Sequence, residues 1–296
     1  MSRARDVGPM IRATTTVAGV IGSPVRHSLS PALHNAAFAA AGADWVYTAF
    51  DVPAGGAPDA LAAMRALGIG GLSVTMPHKE AVAAAVDVLD AAAAALRSVN
   101  TVVRLADGRL AGHSTDGAGF IASLTDAGVD VDGRIVVVVG AGAAARAVID
   151  ALARAGAAHV VVVNRTADRA AAAAELAGVR GRVGVAGDIT MADVVVNATP
   201  AGMGAAGPNE TGSGGETPFD VSLLRADQVV ADLVYHPLDT PLLIAARAVG
   251  AVAIDGLGML VHQAGLQQQL WLGQRPDIAV MRAAAVRELE RRRQIA

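Results

Sequence analysis

The chain of 296 residues has no cysteine, only 3% aromatic residues and no long uncharged apolar run. Each absence excludes something. Without cysteine there is no disulfide, no thiolate nucleophile and no thiolate-ligated metal. A membrane helix needs ~18–20 consecutive apolar residues, so the mean hydropathy of +0.44 does not point to a membrane partner. The 53% hydrophobic content is carried largely by alanine. A net charge of −3 gives no bulk attraction to nucleic acid or anionic lipid. The seven histidines show no H-E-x-x-H or similar spacing, so no metal site is expected. The opening "MSRARDVGPMIRATTT" has arginines but no apolar core behind them; no secretory signal is read and a cytoplasmic location is expected.

What is present is alternation. Valine-rich runs alternate with alanine-rich helical stretches, the pattern of an α/β protein with mostly parallel sheets. In the second half, apolar runs stand at 135–139, 160–163, 182–185, 193–197, 229–234 and 251–254. Their apolar character is continuous, so both sheet faces should be covered. Six such strands make a doubly wound sheet. The first half offers strands at "TTVAGVI", "WVYTAF", "GGLSVT" and "TVVRL", and helices at 31–41, 58–67 and 78–86. "ADG" at 106–108 reads as a hairpin turn into "RLAGHS", and the boundary between halves falls near "STDGAGF". The Gly-rich loop 202–218 is expected to be mobile and to close over a ligand.

"IVVVVGAGAAARAVIDALARAGA" reads as strand, glycine turn and helix, with Gly140, Gly142 and Ala145 matching G-x-G-x-x-[GA]. The first glycine permits the turn, the second admits a pyrophosphate, and the small third residue lets helix and strand pack closely. A site for NAD places an acid about 20 residues after the first glycine. Here Asn164 stands there, followed by Arg165 and, a helical turn later, Arg169. These residues attract a 2′-phosphate that a carboxylate would repel, so the expected cofactor is NADP.

The first half holds polar clusters where strands end. Ser30 before Pro31 reads locally as a helix N-cap, which leaves Ser28 unexplained. Two hydroxyls near a helix N-terminus can grip a small carboxylate. Asp116 reads locally as the N-cap of a linking helix. In "VTMPHKEAV", Pro77 reads as the opening of a helix that carries Lys79 in its first turn. A cation there faces the positive end of the helix dipole, a cost of about 0.3–1 kcal/mol when exposed. Lys79 is therefore either a solvated surface residue or one placed for a purpose.

Together these motifs resemble the shikimate dehydrogenase family. The resemblance runs in order through "GSPVRHSLSPALHN", "GLSVTMPHK", "VNTVV", "GHSTDGAGF", "VVGAGAAARA", "NRT", "NATPAGM", "DLVYHPLDTPLL" and "DGLGMLVHQ". It implies two domains. The first is an α/β substrate domain, 1–116, with 256–296 packing back on it; the second is a Rossmann-type NADP domain, 117–255. It implies Lys79 and Asp116 as the catalytic pair, and Ser28, Ser30, Thr75, Asn100, Tyr235 and Gln263 as substrate ligands. It implies NADP contacts from Gly140, Gly142 and Ala143 at the turn, from Asn164, Arg165 and Arg169 at the 2′-phosphate, and from Thr199, Met203 and Met259 near the nicotinamide. The implied substrates are 3-dehydroshikimate and shikimate, with no metal, nucleic-acid or membrane partner and a monomeric or homodimeric assembly. Three positions depart from the pattern: Ser73 and Ser114 stand where the family often has Asn, and Ala143 where it often has Gly. The first ten residues match nothing in the family. Alternatives are a quinate/shikimate or aminoshikimate dehydrogenase, a non-catalytic NADP-binding sensor, and a methylenetetrahydrofolate dehydrogenase; the serine pair and "NTV" do not suit a pteridine. The carboxy-terminal "DIAVMRAAAVRELERRRQ" is expected to pack back on the protein, with its arginine run as a solvated face.

Overall fold

The computed structural model describes residues 11–204 and 215–294. Its elements are β1 (Thr16–Gly22), α1 (Ser30–Ala40), β2 (Trp45–Asp51), α2 (Ala57–Leu67), β3 (Gly71–Val74), α3 (Lys79–Ala85), β4 (Val88–Leu89), α4 (Ala91–Leu96), β5 (Thr101–Arg104), β6 (Leu110–His113) and α5 (Asp116–Asp126). There follow β7 (Ile135–Val139), α6 (Ala143–Arg154), β8 (His159–Val163), α7 (Ala167–Ala174), β9 (Gly181–Val183), β10 (Val194–Asn197), β11 (Val229–Asp232), α8 (Pro241–Ala248), β12 (Val252–Ile254), α9 (Gly256–Leu272) and α10 (Ile278–Arg293).

Among the described residues there are two six-stranded sheets. The first has the order β2-β1-β3-β5-β6-β4. Its β1, β2 and β3 are parallel, while β5 runs antiparallel to both β3 and β6. The expected hairpin joins β5 to β6, with Gly108 at φ +85° in the turn. The second sheet has the order β12-β11-β10-β7-β8-β9, all parallel. That is the doubly wound order, and it reverses between β7 and β10.

The valine runs form central strands because both faces are buried. Val136 and Val138 enter one apolar cluster with α5 and α6, while Val137 and Val139 enter another with α8. This is the two-residue period of a strand. Each fully buried valine contributes on the order of 1.5–3 kcal/mol.

Two expectations are corrected, and one unread stretch proves to be structured. "VLDAAAAAL" forms β4 and the short α4, which the sequence reading passed over; Asp90 caps α4, its Oδ1 accepting from Ala93 N at 2.6 Å. Ser30 is not an N-cap: Leu29 holds that position without a side-chain bond, and Ser30 is already helical. Pro77 does not open α3. It lies in a turn closed by His78 N–H donating to Thr75 O at 3.0 Å, and the helix starts at Lys79. Of the loop expected at 202–218, residues 205–214 lie outside the described residues, as do the first ten.

Helices α9 and α10 return to the first half. Leu257, Val261 and Ala264 of α9 and Met281, Ala285 and Leu289 of α10 pack with Leu29, Leu33 and Ala37 around α1. Helix α5 crosses α9 closely at Gly119, where an added Cβ would lie 2.6 Å from Gln263 N. That approach brings the start of α5 beside the middle of α9.

Candidate active site

Lys79 is the first residue of α3 and Asp116 the first of α5. Their side chains meet, with Lys79 Nζ donating to Asp116 Oδ2 at 2.6 Å. Only 18% and 12% of the two side chains is exposed. A charge-assisted hydrogen bond of this kind contributes about 1.5–3 kcal/mol, more than the ~0.3–1 kcal/mol lost to the helix dipole. Lys79 is therefore neither a solvated lysine nor an unopposed one. Asp116 is not an N-cap either: Thr115 holds that position, and neither side chain caps the helix.

Asn100 fixes the carboxylate. Its Nδ2 donates to Asp116 Oδ1 at 2.6 Å, while its Oδ1 accepts from Thr115 N at 2.9 Å and from Thr101 Oγ1 at 2.8 Å. Asp116 is thus bonded through both oxygens before any ligand arrives. Thr101 and Thr115 act through Asn100, and no spacing rule marks them.

Lys79, Asn100 and Asp116 face one cavity of about 230 Å³, which Ser28, Ser30, Thr75, Tyr235, Met259 and Gln263 also line. All eight residues expected at the substrate and at the chemistry are therefore brought together. Ser28 lies in the loop entering α1 and Ser30 is the first residue of that helix; Ser28 Oγ accepts from Ser30 N at 3.2 Å. Burial pushes the Tyr235 phenol above its ordinary pKa, with Arg292 pulling the other way.

Arg292 corrects another expectation. It is not part of a solvated face: its Nη1 donates to His27 O at 2.6 Å and its Nη2 to Ser28 O at 3.0 Å. Its Nε is held by Glu288 at 2.8 Å. The last helix therefore clips the serine loop. A planar guanidinium with its donors in a fixed fork suits that task.

Further residues were missed by the sequence reading. Ser73 and Gln267 line the cavity. Gln267 is one turn beyond Gln263 on α9, and that i,i+4 spacing was the available signal.

The second half presents a groove at the end of β7. Gly140 turns the chain at φ +117°, and a Cβ there would lie 2.8 Å from Ala198 O, so this position needs glycine. Gly142 precedes α6, whose N-terminus has no side-chain cap. The space above Gly142 is open, with nothing within 4 Å of an added Cβ. Uncapped N–H groups at a helix start suit an anion. Gly142, Ala143 and Arg169 line this groove together with Arg146, whose Nη2 also donates to Leu96 O at 3.1 Å. Asn164 and Arg165 follow β8 and are not part of the groove's lining. Asn164 Nδ2 donates to Thr166 O at 3.0 Å, and Arg165 is exposed.

Thr199 follows β10, across the switch point from Gly140. Asn197 Oδ1 accepts from both its N–H, at 2.9 Å, and its Oγ1, at 2.7 Å. Asn197 is held in turn by Asp232, whose carboxyl burial pushes above the ordinary range. Met203 is 44% exposed. Neither Thr199 nor Met203 lines the cavity or the groove. No helix among the described residues is long and apolar enough to cross a membrane, and none of their His, Asp and Glu side chains form a group that could hold a metal.

A parallel sheet in this order, with its glycine turn at the switch point, defines a dinucleotide-binding class of protein. The polar cavity beside it, with its buried lysine–carboxylate pair, gives that class a place for chemistry. Family models narrow it. Residues 20–102 match the shikimate dehydrogenase substrate binding domain, 123–203 match shikimate/quinate 5-dehydrogenase, and 256–286 match the shikimate 5′-dehydrogenase C-terminal domain. A shikimate dehydrogenase (NADP+) of Symbiobacterium thermophilum is 46% identical, covering 94% of this chain and 96% of its own. The crystal structure of the Thermus thermophilus enzyme in complex with NADP(H) and shikimate is similar with a TM-score of 0.84 at 37% identity, covering 92% of this chain and 99% of that one. A quinate dehydrogenase of Corynebacterium glutamicum in complex with NAD gives 0.83 at 36% identity, over 92% and 99%. The chain belongs to the shikimate dehydrogenase family.

Proposed function

We propose that the protein is an NADP-dependent shikimate dehydrogenase, interconverting 3-dehydroshikimate and shikimate. The observation that carries this reading is the Lys79–Asp116 pair, 2.6 Å apart in a cavity that also holds Ser28 and Ser30. When bound, NADP supplies or takes up the hydride. During reduction the ring carbonyl oxygen becomes negative and then needs a proton. The Lys79 ammonium offsets that charge and delivers the proton. Asp116 orients the ammonium, and Asn100 keeps Asp116 in place. Ser28 and Ser30 donate to the substrate carboxylate, with Tyr235 beside them. Thr75, Asn100 and Gln263 hold the ring hydroxyls.

For the cofactor, we assign the pyrophosphate to Gly140, Gly142 and Ala143 and the 2′-phosphate to Asn164, Arg165 and Arg169. Thr199, Met203 and Met259 border the nicotinamide. Substrate binding belongs to residues 1–116 with 256–296, and cofactor binding to 117–255. We place the enzyme in the cytoplasm as a monomer or homodimer.

A spectrophotometric screen of shikimate and quinate, each with NADP+ and NAD+, tests the reading. The expected result is reduction of NADP+ with shikimate as the preferred pair. Quinate carries an additional hydroxyl beside its carboxylate, which the paired serines leave little room to satisfy. Preference for quinate, or no turnover of shikimate, overturns the proposal.

A further inference from the structure

We infer that Gln267 is a specificity-determining residue: acting through Ser73, it sets one wall of the cavity to accept a hydroxyl hydrogen and to reject a carbonyl or carboxylate oxygen. The inference rests on the shikimate reading above and deepens it.

The direction of each hydrogen bond follows from the groups at its ends. Gln267 Nε2 lies 3.2 Å from the Asn100 carbonyl oxygen. A carbonyl oxygen only accepts, so the carboxamide must turn its NH2 toward Asn100. That leaves Gln267 Oε1 toward Ser73 Oγ, at 2.7 Å. This oxygen also only accepts, so Ser73 commits its single proton to Gln267. Tyr47 Oη lies 2.6 Å from the same Ser73 Oγ. With the serine proton committed, the phenol is the donor and occupies one serine lone pair. Burial raises the Tyr47 pKa, which keeps that proton on the phenol. Ser73, lining the cavity, is left with one lone pair and no proton to offer.

His34 fits the same arrangement. Its Nε2 lies 3.3 Å from Gln267 Oε1, so Nε2 carries the hydrogen. An unconstrained serine hydroxyl rotates and serves donors and acceptors alike. The relay from Tyr47 through Ser73 to Gln267 removes that freedom. Where the family often has Asn, a carboxamide offers both a donor and an acceptor. Here Ser73 has the shorter side chain, and Gln267 reaches in from α9 to complete the wall.

The test uses Gln267→Met and Ser73→Ala, singly and combined. Methionine keeps the length of the side chain, and the Asn100 carbonyl keeps Val74 N–H at 2.7 Å. The substrates are shikimate and its two analogues that each lack one non-reacting ring hydroxyl. Gln267→Met should raise KM for shikimate about fivefold, the scale of one hydrogen bond, with kcat and KM for NADP+ within about twofold. The rise should vanish for one deoxy analogue and persist for the other. Ser73→Ala, which shortens a small side chain by one atom, should show the same substrate dependence. The double variant should match Ser73→Ala alone, because Gln267 acts through Ser73. Equal losses on all three substrates, additive losses, or a parallel rise in KM for NADP+ overturn the inference. A wild-type protein inert on shikimate overturns the functional reading instead, whereas an active wild type with an indifferent Gln267→Met variant overturns this inference alone.

Discussion

Lowering the pH from 7 to 5 should destabilise the first half of the molecule through one side chain, His34. This imidazole is fully buried on α1 and stacked on Tyr47, with ring centroids 4.3 Å apart. Burial lowers its pKa from 6.5 to about 4, against the opposing bonds to Gln267 and Gln268. Between those two values the unfolded chain takes up a proton that the folded chain refuses. Stability from this group is therefore intact above pH 6.5 and is lost as the pH falls toward 4. At about 1.36 kcal/mol per pH unit the full loss approaches ~3 kcal/mol, and about 2 kcal/mol of it falls between pH 7 and 5. The assay is urea unfolding at both pH values, followed by tryptophan fluorescence. Trp271 lies 5.1 Å from the His34 ring, and Trp45 packs on Phe38 nearby, so both tryptophans report this region. His34→Leu removes the titrating group while keeping the site apolar. The wild type should lose about 2 kcal/mol more than this variant over the interval. An equal loss in both proteins would refute the argument, because it would assign the pH dependence to other groups.

Other outcomes follow from the site. Lys79→Ala should lower kcat by about 10²–10⁴, the usual weight of a general acid, while shikimate still binds by calorimetry; near-normal turnover would remove Lys79 from the chemistry. Arg165→Ala should raise KM for NADPH far more than KM for NADH, and equal effects would argue against a 2′-phosphate contact. Arg292→Ala frees the carbonyls of His27 and Ser28, so KM for shikimate should rise about tenfold with kcat and KM for NADP+ unchanged. The salt bridges to Arg291 and Arg292 hold Glu288 at about 2, below its ordinary 4.5. The clip is therefore fully formed above pH 4.5 and lost only as the pH falls toward 2, so the Arg292 effect should be flat from about pH 5 to 8. An unchanged KM for shikimate would dismiss the clip.

The second sheet was legible because its strands are valine runs buried on both faces, a local signal with few alternatives. The nine ordered motifs also marked residues that share one cavity. Short elements escaped. "VLDAAAAAL" packs a two-residue strand and a six-residue helix into a stretch whose alanines carry no periodicity. Capping readings of Ser30 and Asp116 failed for a common reason. Each residue was judged against its own helix, and each lies one position inside it, where the side chain serves another segment. Arg292 was read as solvated because a charge run on a helix end gives no hint of a loop 264 residues earlier in the chain.

The sequence by itself determined the alternation of elements and the glycine turn, since these depend on near neighbours and on burial. Only the tertiary structure decided that Lys79 meets Asp116, that Asn100 grips the carboxylate, and that Gln267 directs the proton of Ser73. Hydrogen bonds between distant segments act over about 3 Å, and no local pattern records which segments the packing of two sheets and three crossing helices will bring within that distance.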